Sequence, residues 1–458
     1  SWAGSSLLAQ VRARGEWQQK VDPLVLEAAG EESAVEFIIV LVEQADLVDA
    51  AMLAGKLEKG TYVYKQLTTV AMRTQPPLLK ALHAAGANYR PFWVINSIWA
   101  NGDASLIEEL AKRSDVAQIH ANPQVELDLL PQPYFRNSGE ASRSIEWSIA
   151  LVRAPEVWLA GIMGEGIVIG GQDTGYDWQH PALIDQYRGW DGKEASHEYN
   201  WHDAIHDPFA NNSMEITAGE CDYDSPQPCD DNGHGTHTMG TMVGDDGAGN
   251  QIGMAPKAQW IACRNMKNGI GTPTTYMECY EWFIAPYPQG GNSMIDGDPA
   301  LAPHIINNSW SCPVSEGCTD PDILKGVVEN VRAAGILTVH SAGNSGYLGC
   351  SSIDEPAAIY DASFTAGATG KDDVIASFSS QGPVTRGIDD SLKPDISAPG
   401  VGVRSSLPNN RYGTLSGTSM AAPHVSGLAA LLMAAQADLI GDVDALEEVI
   451  HHLETYDV

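Results

Sequence analysis

Apolar and polar positions change period several times along this chain. Val35 to Val42 alternates and then runs apolar, which predicts a strand. From Leu47 to about Ala87 the chain is rich in Ala, Leu, Lys and Gln. Two helical pieces are expected there, with breaks at Gly60 and at Pro76-Pro77. Arg90 to Trp99 predicts another strand. Ser105 to Ser114 predicts a helix with Leu106, Leu110 and Ala111 on one face. Val116 to Leu129 alternates again. Residues 1–33 are polar and give little signal. Strands and helices in this mixed order predict a small α+β sandwich over 34–130.

Leu130 to Arg143 holds Pro131, Pro133, Asn137, Ser138 and Gly139, a turn and linker composition that sets a domain boundary at 131–144. Beyond it, short apolar runs alternate with helical patterns. Strands are expected at Gly166–Gly171, Gln259–Cys263, Ile305–Ser309, Leu337–Ser341 and Phe364–Ala366. Helices are expected at Gly235–Val243, Asp322–Ala334 and Val443–Leu453. Continuous apolar strands between helices predict a doubly wound, mostly parallel α/β sheet over 145–458. No run reads as long and apolar enough to span a bilayer.

Charge sharpens this division. The formal net charge is −33, and it is concentrated after residue 140. That acidity argues against nucleic acid and anionic membranes as partners. All seven cysteines lie in the second part, without the paired spacing of a zinc site. Short loops such as Cys221–Cys229 and Cys312–Cys318 point to an oxidising compartment, with reduced core cysteines as the alternative.

Three stretches carry candidate chemistry. Ser416-Gly417-Thr418-Ser419 runs straight into an apolar helix containing Pro423 near its start. The first N–H groups of a helix have no intrahelical acceptor, so a negative charge developing beside Ser419 would meet donors there. A buried strand ends in Asp173, followed by Thr174-Gly175; Asp173 is either an oriented carboxylate or a turn-capping one. His234 sits between Gly233 and Gly235, with His237 one turn on as the competing candidate and His424 expected to be structural. A serine needs a base to attack, an imidazole suits that task near neutrality, and a carboxylate fixes its tautomer.

With these stretches in order, the chain resembles the subtilisin-like serine proteases, the subtilases. The resemblance rests on D-T-G at 173–175, G-H-G-T-H at 233–237 and G-T-S-M-A-A-P-H-V-S-G at 417–427, with S-A-G-N-S-G at 341–346 as a fourth match. It covers roughly residues 145–435. The segment I-N-N-S-W at 306–310 and the long acidic insertion between Asp173 and His234 bring it nearer the bacillopeptidase F-type branch.

The resemblance implies a subtilisin-like fold preceded by a ferredoxin-like, inhibitor-type prodomain, which would act as an intramolecular inhibitor and chaperone. It implies a secreted endopeptidase made as a zymogen, acting on polypeptides and cut between Leu130 and Arg143. Ser419 would be the nucleophile, His234 the general base and acid, and Asp173 its orienter. Asn344 would donate to the oxyanion beside the N–H of Ser419. Ser309, Trp310 and Ser311, with Ser341, Ala342 and Gly343, would line the substrate path. Asp354 and Glu355 would lie near the primary specificity pocket and favour a basic P1 residue.

The chemistry implied needs no cofactor. Structural calcium is a family habit, but Ala182 stands where an acidic ligand is usual. Asp203, Asp207, Asp222 and Asp224 are the alternative ligands, or solvated loop charge. Proximity in sequence pairs Cys221 with Cys229, Cys263 with Cys279 and Cys312 with Cys318, leaving Cys350 alone. Family members generally continue past the position of Val458, so truncation is expected. A non-catalytic scaffold on the same fold is the competing class; the presence of all three catalytic residue types and Asn344 weighs against it.

Overall fold

A computed structural model describes residues 15–127, 130, 144–206, 221–387 and 391–454. The chain divides into two compact units, Ser1–Asp46 with Lys65–Pro123, and Leu47–Tyr64 with Gln124–Val458.

The first unit is built on an antiparallel sheet of β1 (Val35–Leu41), β2 (Asn88–Phe92), β3 (Ser97–Gly102) and β4 (Val116–Ala121), in the order β2-β3-β1-β4. With helical segments between β1 and β2 and between β3 and β4, this is a β-α-β-β-α-β arrangement of the ferredoxin-like kind. Phe37 and Ile39 on β1 face a core that also takes Leu78, Leu82, Ile107 and Leu110. Burying each such side chain contributes about 1.5–3 kcal/mol. Asp22 and Asp103 cap the Pro23–Glu31 and Ala104–Ala111 helices through Leu24 N and Leu106 N.

Two local expectations fail here, and one stretch without signal forms a helix. Arg90–Trp99 is not one strand: residues 93–96 turn the chain between β2 and β3. The turn is hard to see in the sequence because Trp93 and Val94 are buried. Asn96 holds it by donating to Glu43 O and Thr74 Oγ1, while Gln75 Nε2 donates to Phe92 O. Gly60 does not break its helix, which runs from Lys56 to Thr74. A Cβ on Gly60 would stand 3.3 Å from that of Pro299, so the missing side chain permits close packing. The low-signal N-terminal stretch forms the Pro23–Glu31 helix, and Val21 and Val25 join the core.

The second unit contains β5 (Val125–Glu126), β6 (Val168–Asp173), β7 (Trp201–Asp203), β8 (Gln259–Arg264), β9 (Met266–Lys267), β10 (Ile270–Gly271), β11 (Ile305–Asn308), β12 (Leu337–Ser341), β13 (Phe364–Thr369), β14 (Ile396–Pro399), β15 (Val403–Leu407) and β16 (Arg411–Leu415). Seven of these form one parallel sheet in the order β14-β13-β12-β11-β6-β8-β7. This is the doubly wound α/β architecture expected from the continuous apolar runs. β5, β9 and β10 make a small separate sheet, and β15 pairs with β16.

The Thr418–Ala435 helix runs through this unit and is apolar all round because it is packed on nearly every side. Contrary to the expectation that no run could span a bilayer, this helix is long and apolar enough to do so. However, 78% of it is buried inside the protein, as befits a core helix.

The three expected cysteine pairs are all at bonding distance, and Cys350 is free and exposed. In the acidic insertion, Asp203 is buried and takes two hydrogen bonds from Arg264, at 2.9 and 2.8 Å. Ile205 N and Ser225 N also donate to it. This ion pair ties the insertion to the end of β8.

Candidate active site

Asp173, Asn308 and Ser341 sit at the carboxyl ends of β6, β11 and β12, the edge where open α/β sheets place their chemistry. Asp173 is completely buried. Its carboxylate accepts from Thr174 N at 2.7 Å and from Thr238 Oγ1 at 3.3 Å. His234 opens the helix to Val243, and its Nδ1 lies 2.8 and 3.0 Å from the two carboxylate oxygens. With Nδ1–H donating, Nε2 keeps its lone pair and can take a proton. Gly235 lets the two segments close: a Cβ there would collide with Gly175 O.

The other imidazoles are excluded as bases by their surroundings. His237 is buried with Nε2 on Val403 O at 3.1 Å, and burial pushes its pKa down to about 3. His424 donates from Nδ1 to Met420 O at 2.8 Å, and burial lowers its pKa to about 4.

Ser419 is the second residue of the Thr418–Ala435 helix and is 7% exposed. Its Oγ donates to Ser309 O at 3.3 Å, while Ser309 Oγ donates to Ser419 O at 3.0 Å. Among the described residues, its hydrogen bond is therefore to the β11 end and not to His234. Such contacts in unliganded sites are often long and tighten when substrate binds.

Asn344 Oδ1 accepts from Thr418 N at 2.9 Å and Thr418 Oγ1 at 3.1 Å, which turns its amide nitrogen the other way. Gly417 adopts φ 157° and ψ 162°, a region open essentially to glycine. A Cβ there would stand 3.6 Å from Ser419 N and 3.7 Å from Asn344 Nδ2. Asn344 Oδ1 is equally near, at 3.7 Å, so the bare α-carbon lies beside both ends of the Asn344 amide and the N–H of Ser419.

Ser309 and Ser311 follow β11, and Ala342 and Gly343 follow Ser341 at the end of β12. Trp310 is 4% exposed and stacks on Tyr276 with centroids 4.0 Å apart, so its ring is packed into the interior. A Cβ on Gly343 would lie 3.6 Å from Glu355 Oε2. Asp354 presents its carbonyl to Arg386 Nη1, and burial raises its carboxyl pKa.

One feature has no forerunner in the motifs. β5 pairs antiparallel with β10, Val125 packs against Cys312 and Cys318, and Leu127 N donates to Gly269 O at 2.8 Å. Glu126 N donates to Glu316 at 3.0 Å. The alternation of 116–129 signalled a strand but not its partner. Thr174 and Thr238, which also brace Asp173, were not singled out either, though both belong to the quoted stretches or follow them directly.

No group of three or more His, Cys, Asp or Glu side chains is arranged to hold a metal ion among the described residues. The position lacking its usual calcium ligand does not fit a cation, because Ala182 is buried against Ile252 and Tyr412. Among the alternative ligands, Asp203 is engaged by Arg264, Asp222 accepts from Tyr223 N, and Asp224 pairs with His206. Asp207 lies outside the described residues.

Comparison with known proteins bears on this geometry. The Subtilase family profile matches residues 164–453. Bacillopeptidase F of Bacillus subtilis (strain 168) is 35% identical over 410 residues, which is 86% of this chain and 26% of that protein. This chain therefore spans about a quarter of its length. The major intracellular serine protease of the same organism is 33% identical over 289 residues, 62% of this chain and 73% of that one. Subtilisin E, also from Bacillus subtilis (strain 168), is 28% identical over 387 residues, 84% and 83% of the two chains.

Proposed function

The chain belongs to the subtilase family, and from that premise we propose that it is a serine endopeptidase acting through an acyl-enzyme on Ser419. The observation that supports this reading is the dry Asp173–His234 contact, an imidazole held by a buried carboxylate as a general base requires. His234 Nε2 takes the Ser419 proton as Oγ attacks the scissile carbonyl, and Asp173 stabilises the imidazolium formed. Asn344 Nδ2 and Ser419 N stabilise the oxyanion. His234 then protonates the leaving amine, and water hydrolyses the ester by the same route in reverse.

Substrate binds as an extended strand along β10. The pairing of Val125–Glu126 with Ile270–Gly271, and the packing of Val125 against Cys312 and Cys318, support this reading. We read the β-α-β-β-α-β unit and the segment after it as an inhibitor-type prodomain whose tail precedes a processing site between Leu130 and Arg143. Most of that stretch lies outside the described residues. Three cysteine pairs at bonding distance favour an oxidising, extracellular setting. Glu355 beside Gly343 favours Lys or Arg at P1. In a P1 library, basic residues should be preferred over Leu and Phe, and Glu355→Gln should erase the preference.

Casein hydrolysis by the wild type and Ser419→Ala, with N-terminal sequencing of the chains produced, tests the reading. The wild type should cleave casein and release a chain starting within 131–144, and Ser419→Ala should do neither. Equal activity of the two proteins would overturn it.

A further inference from the structure

Asp230 precedes His234 by four residues, and the acylation chemistry described above leaves it unused. Its carboxylate gathers five hydrogen bonds. Oδ1 accepts from Thr174 Oγ1 at 2.9 Å, Gly233 N at 2.7 Å and Asn232 N at 3.1 Å. Oδ2 accepts from Thr236 N at 3.0 Å and Thr236 Oγ1 at 2.5 Å. None of these donors is a cation. Burial pushes the carboxyl pKa up, and the hydrogen bonds from Thr236, Gly233 and Asn232 pull against that.

The donors belong to two segments. Thr174 follows Asp173 directly, and its hydroxyl also accepts from Gly235 N at 3.0 Å. Gly233 and Thr236 bracket His234. The helix from His234 to Val243 has no side-chain cap from Gly233. Asp230 supplies one instead, through Thr236 N, and places negative charge at the helix's positive end. Thr236 Oγ1 in turn accepts from Asp177 N at 3.0 Å. The end of β6 and the start of the histidine helix are thus bonded to the same carboxylate.

Resting on the endopeptidase reading above, we propose that Asp230 is a positioning residue that holds the Asp173 and His234 backbones in register, so that the Asp173–His234 hydrogen bond stays short through the reaction. It touches neither substrate nor the reacting atoms. An amide in its place offers one acceptor oxygen where two are used and turns an N–H toward existing donors. The register loosens and His234 is held less well as a base. A misplacement of about 1 Å costs on the order of a hundredfold in rate.

The test is the second-order rate of Ser419 labelling by a fluorophosphonate, measured from pH 5 to 9 alongside thermal melting. Asp230→Asn should label about ten- to a hundredfold more slowly. Its acid limb should move to lower pH, since a less firmly held imidazolium loses its proton more readily. Thr174→Val should show the same defect, and Thr174→Ser, which keeps the hydroxyl, should restore most of the rate. A folded Asp230→Asn that labels at the wild-type rate with an unmoved acid limb would overturn the proposal. Should Asp230→Asn fail to fold, equal rates for Thr174→Val and Thr174→Ser would overturn it as well. A wild type that is not labelled at Ser419 removes the endopeptidase reading itself, so the two failures are distinguishable.

Discussion

The carboxylate–imidazole half of the site and the hydroxyl half are built to different tolerances. Asp173 and His234 meet at 2.8 Å in a dry contact that several backbone and side-chain donors brace. Ser419, on a separate element, leans on Ser309 O at 3.3 Å. A buried charge must be fully satisfied in the resting protein or the fold loses stability. The Ser419 hydroxyl is neutral and is already satisfied by Ser309 O, so its contact with the base can form when a peptide binds. The charged half is preassembled, and the neutral half, bonded to Ser309 instead, is not.

The sharpest way to break this contrast is to remove the charge from the preassembled half. Asp173→Asn should keep the fold and lower kcat by about ten-thousandfold, as the equivalent change does in related triads. Steady-state kinetics on a peptide library substrate would check this. Loss of less than tenfold would mean that the contact is architectural only. Next in size, Asn344→Ala removes one of the two donors around Gly417 and should cost about a hundred- to a thousandfold in kcat with KM nearly unchanged. The same assay reads both parameters.

Acid should weaken the fold as a whole. Burial lowers the pKa of His237 and His340 to about 3 and of His304 and His424 to about 4. In the unfolded chain these groups take up protons below about pH 6.5, which the folded protein refuses until pH 4 or lower. Stability is therefore full above pH 6.5 and falls as pH drops from there toward 4, by about 1.4 kcal/mol per unit for each fully titrating histidine. Asp203 and Asp230, raised by burial, oppose this as the pH enters the carboxylate range. Urea melts at pH 8, 6, 5 and 4 should show the decline, and His424→Gln should lessen it. The smallest effect is expected from Thr238→Val, which removes one neutral donor to Asp173. It should cost about 1 kcal/mol, or roughly fivefold in rate.

The stretches around Asp173, His234, Ser419 and Asn344 were readable because each needs particular small or polar residues at fixed local spacing. The parallel sheet was readable from apolar runs such as Ile305–Ser309 and Leu337–Ser341. Contacts made at long range left no such mark. The Asp203–Arg264 pair joins residues 61 apart, and nothing local distinguishes a buried Asp from the many solvated ones around it. The turn at 93–96 was hidden by Trp93 and Val94, whose burial made a loop look like a strand. Gly60 misled in the other direction, since its missing side chain serves packing against Pro299 and not a helix stop. Trp310 is expected along the substrate path, and only its stacking on Tyr276 shows the ring packed in the interior. Asp230 stands in the same motif as His234, but its five hydrogen bonds depend on how Thr174, 56 residues away, comes back alongside.

The most direct measurement is to locate by mass spectrometry the residue that a fluorophosphonate modifies, in the wild type and in His234→Ala. The expected result is a single adduct on the peptide carrying Ser419, absent or greatly slowed in His234→Ala. No adduct on Ser419, or one that forms equally fast without the imidazole, would contradict the assignment of Ser419 as a nucleophile activated by His234.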